Sequence, residues 1–369
     1  MNRLSVWCQV TLLIGVVMVS WKSSPAFAAL AFPQKPGALA AYGAILADYF
    51  NNDELPPVLS ALATLDSTHK VIDVSPMQGG YSTRVFSITT HDHHKLVLRV
   101  LPKRESSQDF SKEIFASIEN AKKMTAPEIL YADSENGILV MEYLEGEILR
   151  DSIYMDTRNK VIDLAQLLKE SHSTSGQQLA RYNIYQRIYG TVESMTSELP
   201  KRLMGLVGVV RKIEHEPLLN KEVPCHNDLN PNNIMEARGK LWLIDWEMAG
   251  LNDPFYDLAT VSNFLVVDPN LQKVLLKAYL GKDPSELQLK RFAQMRLVSL
   301  TFYGTILQKI AQDPIFFKFD QLDRELTPLS ELYKNRQIWN QFNDRRSLSL
   351  FGLSLLAEAE KIASHLGLQ

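Results

Sequence analysis

Three oxygen-bearing side chains stand out in the stretch PCHNDLNPNNIMEARGKLWLIDWEMAGLNDPFYDLA over residues 224–259: Asp228, Asn233 and Asp245. Carboxylate and carboxamide oxygens are the ligands Mg²⁺ takes alongside water and phosphate. A carboxylate on the loop just ahead of them can accept a hydroxyl proton. A metal on the phosphates, a positioned nucleophile and charge neutralisation are together what phosphoryl transfer requires. A single Asp or Asn in a turn is ordinarily a cap or turn former. The argument for chemistry is the ordered set, which closes on Asp257-Leu258-Ala259. His226 on its own reads as a residue that holds the loop by hydrogen bonds.

The elements that must position this set follow from local pattern. Pro231 and the asparagines around it disfavour a continuous helix, so HNDLNPNN is predicted as a loop. Ile234-Met235 enter a strand, Arg238-Gly239 turns it and LWLI returns, which brings Asp245 back beside Asn233. Upstream, VIDVSPM, RVFSITT, KLVLRVLP, APEILYAD and GILVMEYL read as strands. Residues 108–123 read as a helix with Ile114, Phe115 and Ile118 on one face. From about Asp151 onward the pattern is mostly helical except around 224–247. Residues 37–65 also carry helical spacing, with an interruption expected at Pro56-Pro57. The predicted fold class is α+β, two-lobed. A helical extension (29–69) precedes a small β-rich N-lobe (70–142), and a larger, mainly helical C-lobe (143–369) follows. The strand–helix alternation of a doubly wound sheet is missing.

HNDLNPNNIM followed by LIDWEMAGLNDPFYDLA resembles the protein-kinase-like small-molecule kinases, which include choline/ethanolamine kinases, aminoglycoside phosphotransferases and thiamine kinases. The likeness covers roughly residues 70–310 and is most similar to bacterial choline kinase-like proteins. His226-x-Asp228, then Asn233 and Asp245, has the spacing of the protein-kinase signature, with Asn at its second place. The resemblance implies a protein-kinase-like fold with ATP and Mg²⁺ as cofactors. It implies Asp228 as catalytic base, Asn233 and Asp245 as holders of Mg²⁺, and Asp257 as the brace of the catalytic loop, with Glu247 as a further contact near the metal.

It also implies a nucleotide-binding half. Gln78–Thr83, with Gly79, Gly80 and Ser82, resembles the phosphate-covering loop. Arg99 in LVLRV would reach the α- and β-phosphates, oriented by Glu113 or, alternatively, Glu119. Residues 141–146, MEYLEG, resemble the hinge whose main chain, at Glu142 and Leu144, holds the adenine edge.

The expected acceptor is a hydroxylated cation. Trp246, Phe255, Tyr256, Phe264, Phe302 and Tyr303 are candidates for cation–π contact with it. Choline kinases commonly place an acid shortly after D-L-A, where this chain has SNFLVV, and tryptophans in a late helix, where it has LTFYGTILQ. An amino alcohol such as choline or ethanolamine is the expected acceptor. Thiamine or an aminoglycoside stays open, as does a non-catalytic nucleotide-binding protein. The eleven residues between Asp245 and Asp257 are too few for a protein kinase's activation loop and peptide platform.

Among 369 residues, 39 Lys+Arg face 42 Asp+Glu, a net of -3, so no basic surplus points to nucleic acid. Met1–Arg3 is basic, residues 4–19 are uncharged and Ala26-Phe27-Ala28 precedes Ala29, the pattern of a secretory signal. The apolar run is shorter than the roughly 20 residues that span a bilayer. Cleavage before Ala29 and retention as an anchor, with membrane association through residues 4–21, both stay open. The compartment is therefore open as well: the segment suggests export or membrane association, while ATP use favours a domain facing the cytosol. Two cysteines, Cys8 and Cys225, make no disulfide framework.

Overall fold

The computed structural model describes residues 46–77, 84–101, 108–149, 157–195, 199–217, 221–311, 326–333 and 344–368. The signal-like run, Cys8, Gly79, Gly80 and Ser82 lie outside the described residues. The chain divides into two compact units, with the boundary between Glu145 and Gly146.

In the first unit, alternating apolar residues build an antiparallel sheet of β1 (Val71–Pro76), β2 (Arg84–Thr90), β3 (Lys95–Val100), β4 (Ile129–Asp133) and β5 (Ile138–Glu142), in the order β1-β2-β3-β5-β4. Because successive side chains alternate faces, the sheet has two apolar surfaces. Phe86, Ile88, Leu96, Leu98, Val100, Ile138 and Val140 point to one side and pack on α1 (Leu55–His69) through Val58, Ala61, Leu62 and Leu65. Leu139 and Met141 point to the other side and meet Ile114 of α2 (Gln108–Lys122). Burying each such side chain contributes about 1.5–3 kcal/mol. The interruption expected at Pro56-Pro57 lies just ahead of the pair: residues 47–54 are non-helical, and both prolines sit in the first turn of α1. There a missing N–H forfeits no helical bond, so the pair starts the helix instead of breaking it.

The second unit opens with β6 (Gly146–Ile148), which pairs with β8 (Ile234–Ala237), itself paired with β9 (Lys240–Leu243). Around this small sheet lie α3 (Arg158–His172), α4 (Ile184–Glu193) and α5 (Lys201–Glu214), then α6 (Pro254–Phe264), α7 (Pro269–Leu280), α8 (Glu286–Ala311) and α9 (Arg345–His365). Every residue of α6 is buried, and from Phe292 onward α8 is buried around most of its circumference, as in a helix enclosed by others. α8 and α9 approach so closely at Gly304 and Gly352 that a Cβ on Gly304 would stand 2.7 Å from Leu356. Gln308 and Ser349 bond across the same crossing at 2.8 and 2.9 Å. This fixes the α8 turn that carries Tyr303. No helix among the described residues is long and apolar enough to cross a membrane.

Candidate active site

The chemistry-bearing segment is one excursion tied at both ends. β7 (Val223–Cys225) enters it and β10 (Gly250–Asn252) leaves it, paired antiparallel with Cys225 opposite Gly250. Between them His226–Asn230 form a loop and Pro231–Asn233 a 3₁₀ turn, followed by the predicted β8–β9 hairpin. The hairpin does what its pattern requires: Ile234 faces Leu243, and the Ile244 N–H donates to the Asn233 carbonyl at 3.0 Å, so Asp245 returns beside Asn233.

Three non-glycine residues here adopt left-handed backbone: Asn227 and Asp245, each at φ +66°, and Arg238 in the hairpin turn at φ +53°. Such residues cost about 1–3 kcal/mol and persist where the surroundings over-determine them. Asn227 shows how. Its N–H donates to Asp257 Oδ1 at 2.9 Å, its Nδ2 to the carbonyl of Met248 at 3.0 Å, and its Oδ1 accepts from Asn252 Nδ2 at 2.8 Å. Asp257 also takes the His226 N–H on Oδ2 at 2.8 Å, so one carboxylate clamps two successive loop amides. Asp257 is itself aimed by two groups. Asp253 caps α6 one turn earlier and is held by buried Arg291 at 2.6 Å, while His172 of α3 meets Asp257 Oδ2 through Nε2 at 3.0 Å.

His172, Cys225 and Asp257 bring three potential ligand atoms within 4.8 Å of one another, the one such group among the described residues. Both His172 nitrogens are engaged, Nδ1 with the Tyr279 hydroxyl at 2.8 Å, and both Asp257 oxygens accept hydrogen bonds. Burial pushes the Cys225 thiol well up. This group is a structural brace, not a metal centre. His226 is structural too: Nε2 donates to the Ile244 carbonyl at 2.9 Å, its ring packs at a tilt against Trp246 with centroids 4.6 Å apart, and burial lowers its pKa.

Asp228 sits buried on this platform with three donors. Oδ1 accepts from the Tyr303 hydroxyl at 2.6 Å and from Asn230 Nδ2 at 3.0 Å; Oδ2 accepts from Asn233 Nδ2 at 3.0 Å. A carboxylate has about four acceptor positions, so the position left is on Oδ2, on the Asn233 side. Burial pushes the Asp228 carboxyl up to about 7, the charges of Asp245 and Glu247 add to the rise, and the Tyr303 and Asn230 bonds oppose it. The result is a carboxylate poised to take a proton near neutrality.

Asn233 also donates to the Asp228 main-chain carbonyl at 2.8 Å. With Nδ2 committed to Asp228, the amide oxygen is the atom Asn233 has to offer a metal, and the hairpin returns the main chain to Asp245 next to Asn233. A carboxamide oxygen and a carboxylate, with no thiolate or imidazole between them, are the hard donor set that fits Mg²⁺.

In the first unit, Arg99 and Glu113 meet: the guanidinium NH2 lies 3.3 Å from Glu113 Oε1, with Glu113 buried on α2 and Arg99 on β3. Glu119, the alternative partner, pairs instead with Lys122. The Glu142 N–H is bonded to the Glu128 carbonyl at 2.9 Å. Leu144 is buried.

The aromatic reading needs correction. Trp246, Phe255, Tyr256, Phe264, Phe302 and Tyr303 are all at most 3% exposed. Phe264 and Phe302 pack edge-on to Tyr303 at 4.9 and 5.3 Å, as core side chains do. Tyr303 turns out to be a hydrogen-bond donor to Asp228, a role that sequence spacing does not suggest. Asn227, Asn230 and His172 were likewise missed; the only local signal was Asn in a position that tolerates left-handed backbone.

Known proteins resemble this chain in sequence and in fold. Protein LicA of Haemophilus influenzae is 27% identical over 155 residues, 40% of this chain and 57% of that protein, so the chain spans little more than half the length of this relative. The crystal structure of choline kinase LicA from Streptococcus pneumoniae superposes with a TM-score of 0.56 at 18% identity, covering 82% of this chain and 97% of that one. The GDP complex of aminoglycoside 2'-phosphotransferase-IIIa gives a TM-score of 0.52 at 15% identity, covering 82% and 97%. These likenesses show that the fold is the protein-kinase-like one expected from the sequence. The sequence profile described as the phosphotransferase enzyme family matches residues 73–289, well over half of the chain and the whole of the Asp228–Asp257 platform, and the chain belongs to that family.

Proposed function

We infer that this protein transfers the γ-phosphoryl group of ATP to a hydroxyl of a small molecule, most plainly an amino alcohol such as choline or ethanolamine. The observation that carries the reading is the coupling of Asp228 to Asn233. One amide nitrogen donates to both the carboxylate and the main-chain carbonyl of Asp228, which leaves the amide oxygen as the group Asn233 would offer, with Asp245, to a Mg²⁺–nucleotide. Mg²⁺ bound there would neutralise phosphate charge. The chain's own contribution is to fix Asp228 with one acceptor position open on Oδ2, so that a substrate hydroxyl delivered there loses its proton as it attacks. Arg99, oriented by Glu113, would neutralise the α- and β-phosphates. The similarity to LicA supports choline as the acceptor. The shared fold with an aminoglycoside phosphotransferase keeps an amino sugar as the second reading. The test is ATP consumption with Mg²⁺ against choline, ethanolamine, thiamine and aminoglycosides. Acceptor-dependent ADP formation with one of them supports the proposal; no acceptor dependence across the panel counts against it.

Two outcomes follow for residues outside the central set. Arg99→Ala should raise the apparent KM for ATP by roughly 10- to 150-fold, the equivalent of one charge-assisted hydrogen bond, with the acceptor KM nearly unchanged. Arg99→Lys should recover only part, because an ammonium lacks the planar fork. Steady-state kinetics with ATP varied will show small, uniform effects if Arg99 is only a strand residue. Tyr303→Phe removes the 2.6 Å bond to Asp228 with almost no change of shape. It should lower kcat by about 10-fold, within the range of a hydrogen bond to a charged group, and leave the ATP KM within twofold. An unchanged kcat would make Tyr303 a packing residue only.

A further inference from the structure

Residues 46–72 lie outside the family-matched span of 73–289, yet they are built into the sheet that carries Arg99. Leu46, Phe50 and the α1 residues Val58, Ala61, Leu62 and Leu65 cover the face of the sheet opposite α2. At the edge of this contact stands Arg84, the first residue of β2. Its NH1 donates to the Tyr49 carbonyl at 2.8 Å and to Glu54 Oε2 at 3.0 Å, and its NH2 to Glu54 Oε1 at 2.6 Å. The guanidinium carbon lies 4.4 Å above the Phe50 ring, and Phe50 in turn packs on Phe86, two residues along β2, at 5.4 Å. Glu54 is prepared for the pairing: its carboxylate accepts the Asn51 N–H at 3.2 Å, and Asn51 Oδ1 accepts the N–H of Asp53 and Glu54 at 3.0 Å each. An isolated surface ion pair is worth little. This one is bidentate, aromatic-backed and carbonyl-anchored, which gives it a fixed geometry.

Its position gives it a consequence. Val85, next to Arg84, faces Arg99 across the β2–β3 ladder, and the Val85 carbonyl accepts the Met77 N–H at 2.8 Å, joining the ends of β1 and β2. The clasp therefore holds the two strand ends that frame residues 78–83, and through Val85 the strand position of Arg99. We propose that Glu54 and Arg84 are positioning residues for nucleotide binding, and that the N-terminal extension is a working part of the nucleotide-binding unit, not an appendage to it. The inference rests on reading that unit as the one that holds the nucleotide.

The test uses Mg-ADP, so that no acceptor is needed. Glu54→Gln keeps shape and removes the charge; Arg84→Met keeps the apolar stem on Phe50 and removes the fork. Calorimetry should show each weakening Mg-ADP about 3- to 30-fold, the range for residues that modulate a site without touching its ligand. The double variant should be less than additive, Arg84→Lys should recover part, and the melting temperature should stay within a few degrees because the apolar core is untouched. Unchanged Mg-ADP affinity in the single variants, with or without a fall in melting temperature, overturns the proposal, as does full additivity. A full chain that binds no Mg-ADP at all overturns the nucleotide reading first and this proposal with it.

Discussion

Asp228→Asn is expected to lower turnover by about 10²–10⁴, the usual contribution of a positioned general base, while Mg-ATP binding survives. The carboxamide keeps an oxygen for the Tyr303 and Asn230 donors, so the loop has little reason to move. What it loses is the open acceptor position. The amide nitrogen takes the place of Oδ2 and meets the Asn233 Nδ2 donor instead of accepting from it. Single-turnover ADP formation at saturating Mg-ATP and acceptor is the measurement. A rate within a few-fold of the natural protein would remove Asp228 from the mechanism, however well it is held.

Asp245→Ala is expected to weaken Mg-ATP binding and to lower activity at every Mg²⁺ concentration. Losing a mere supporting partner of a metal ligand costs about 10- to 100-fold, and loss of a charged ligand should cost at least that. Asp245→Asn is the cleaner variant, because Asn tolerates the left-handed backbone that Asp245 adopts at φ +66°. It removes charge without adding strain. Asn233→Ala loses a neutral ligand, but also the amide that holds Asp228 at two points. It should therefore lower kcat as well as metal affinity, whereas Asp245→Asn should act chiefly through the metal. Calorimetry with Mg-ATP, paired with kinetics across Mg²⁺ concentrations, separates the two. Unchanged affinity and activity in Asp245→Ala would exclude it as a metal ligand.

The hairpin was legible in the sequence because its turn is local: Arg238 and Gly239 take left-handed backbone at φ +53° and +71°, and the flanking alternation sets the register. The Asp228, Asn233, Asp245 and Asp257 set was legible for the same reason, being carried by one short stretch. Partners from distant elements leave no spacing to read. Tyr303 reaches Asp228 from 75 residues away, and His172 reaches Asp257 from 85; nothing short of the packing of α3, α6, α8 and α9 selects them. The Pro pair of α1 marks the break in the helical spacing because prolines are tolerated in a helix's first turn and not further in. Aromatic residues at helical spacing could be read as core or as ligand faces, and burial decided for the core. Between Glu113 and Glu119, only the packing of α2 on the sheet decides which one meets Arg99.

Whether the Asp228 platform moves a phosphoryl group onto a small-molecule hydroxyl is tested most directly by following phosphorus-31 resonances of Mg-ATP incubated with choline and, in parallel, with ethanolamine. With at least one of them the γ-phosphate signal should be replaced by a phosphomonoester in equal amount to ADP, and Asp228→Asn should form neither at a comparable rate. ADP appearing with inorganic phosphate alone, or a phosphomonoester formed equally well by Asp228→Asn, would contradict phosphoryl transfer through Asp228.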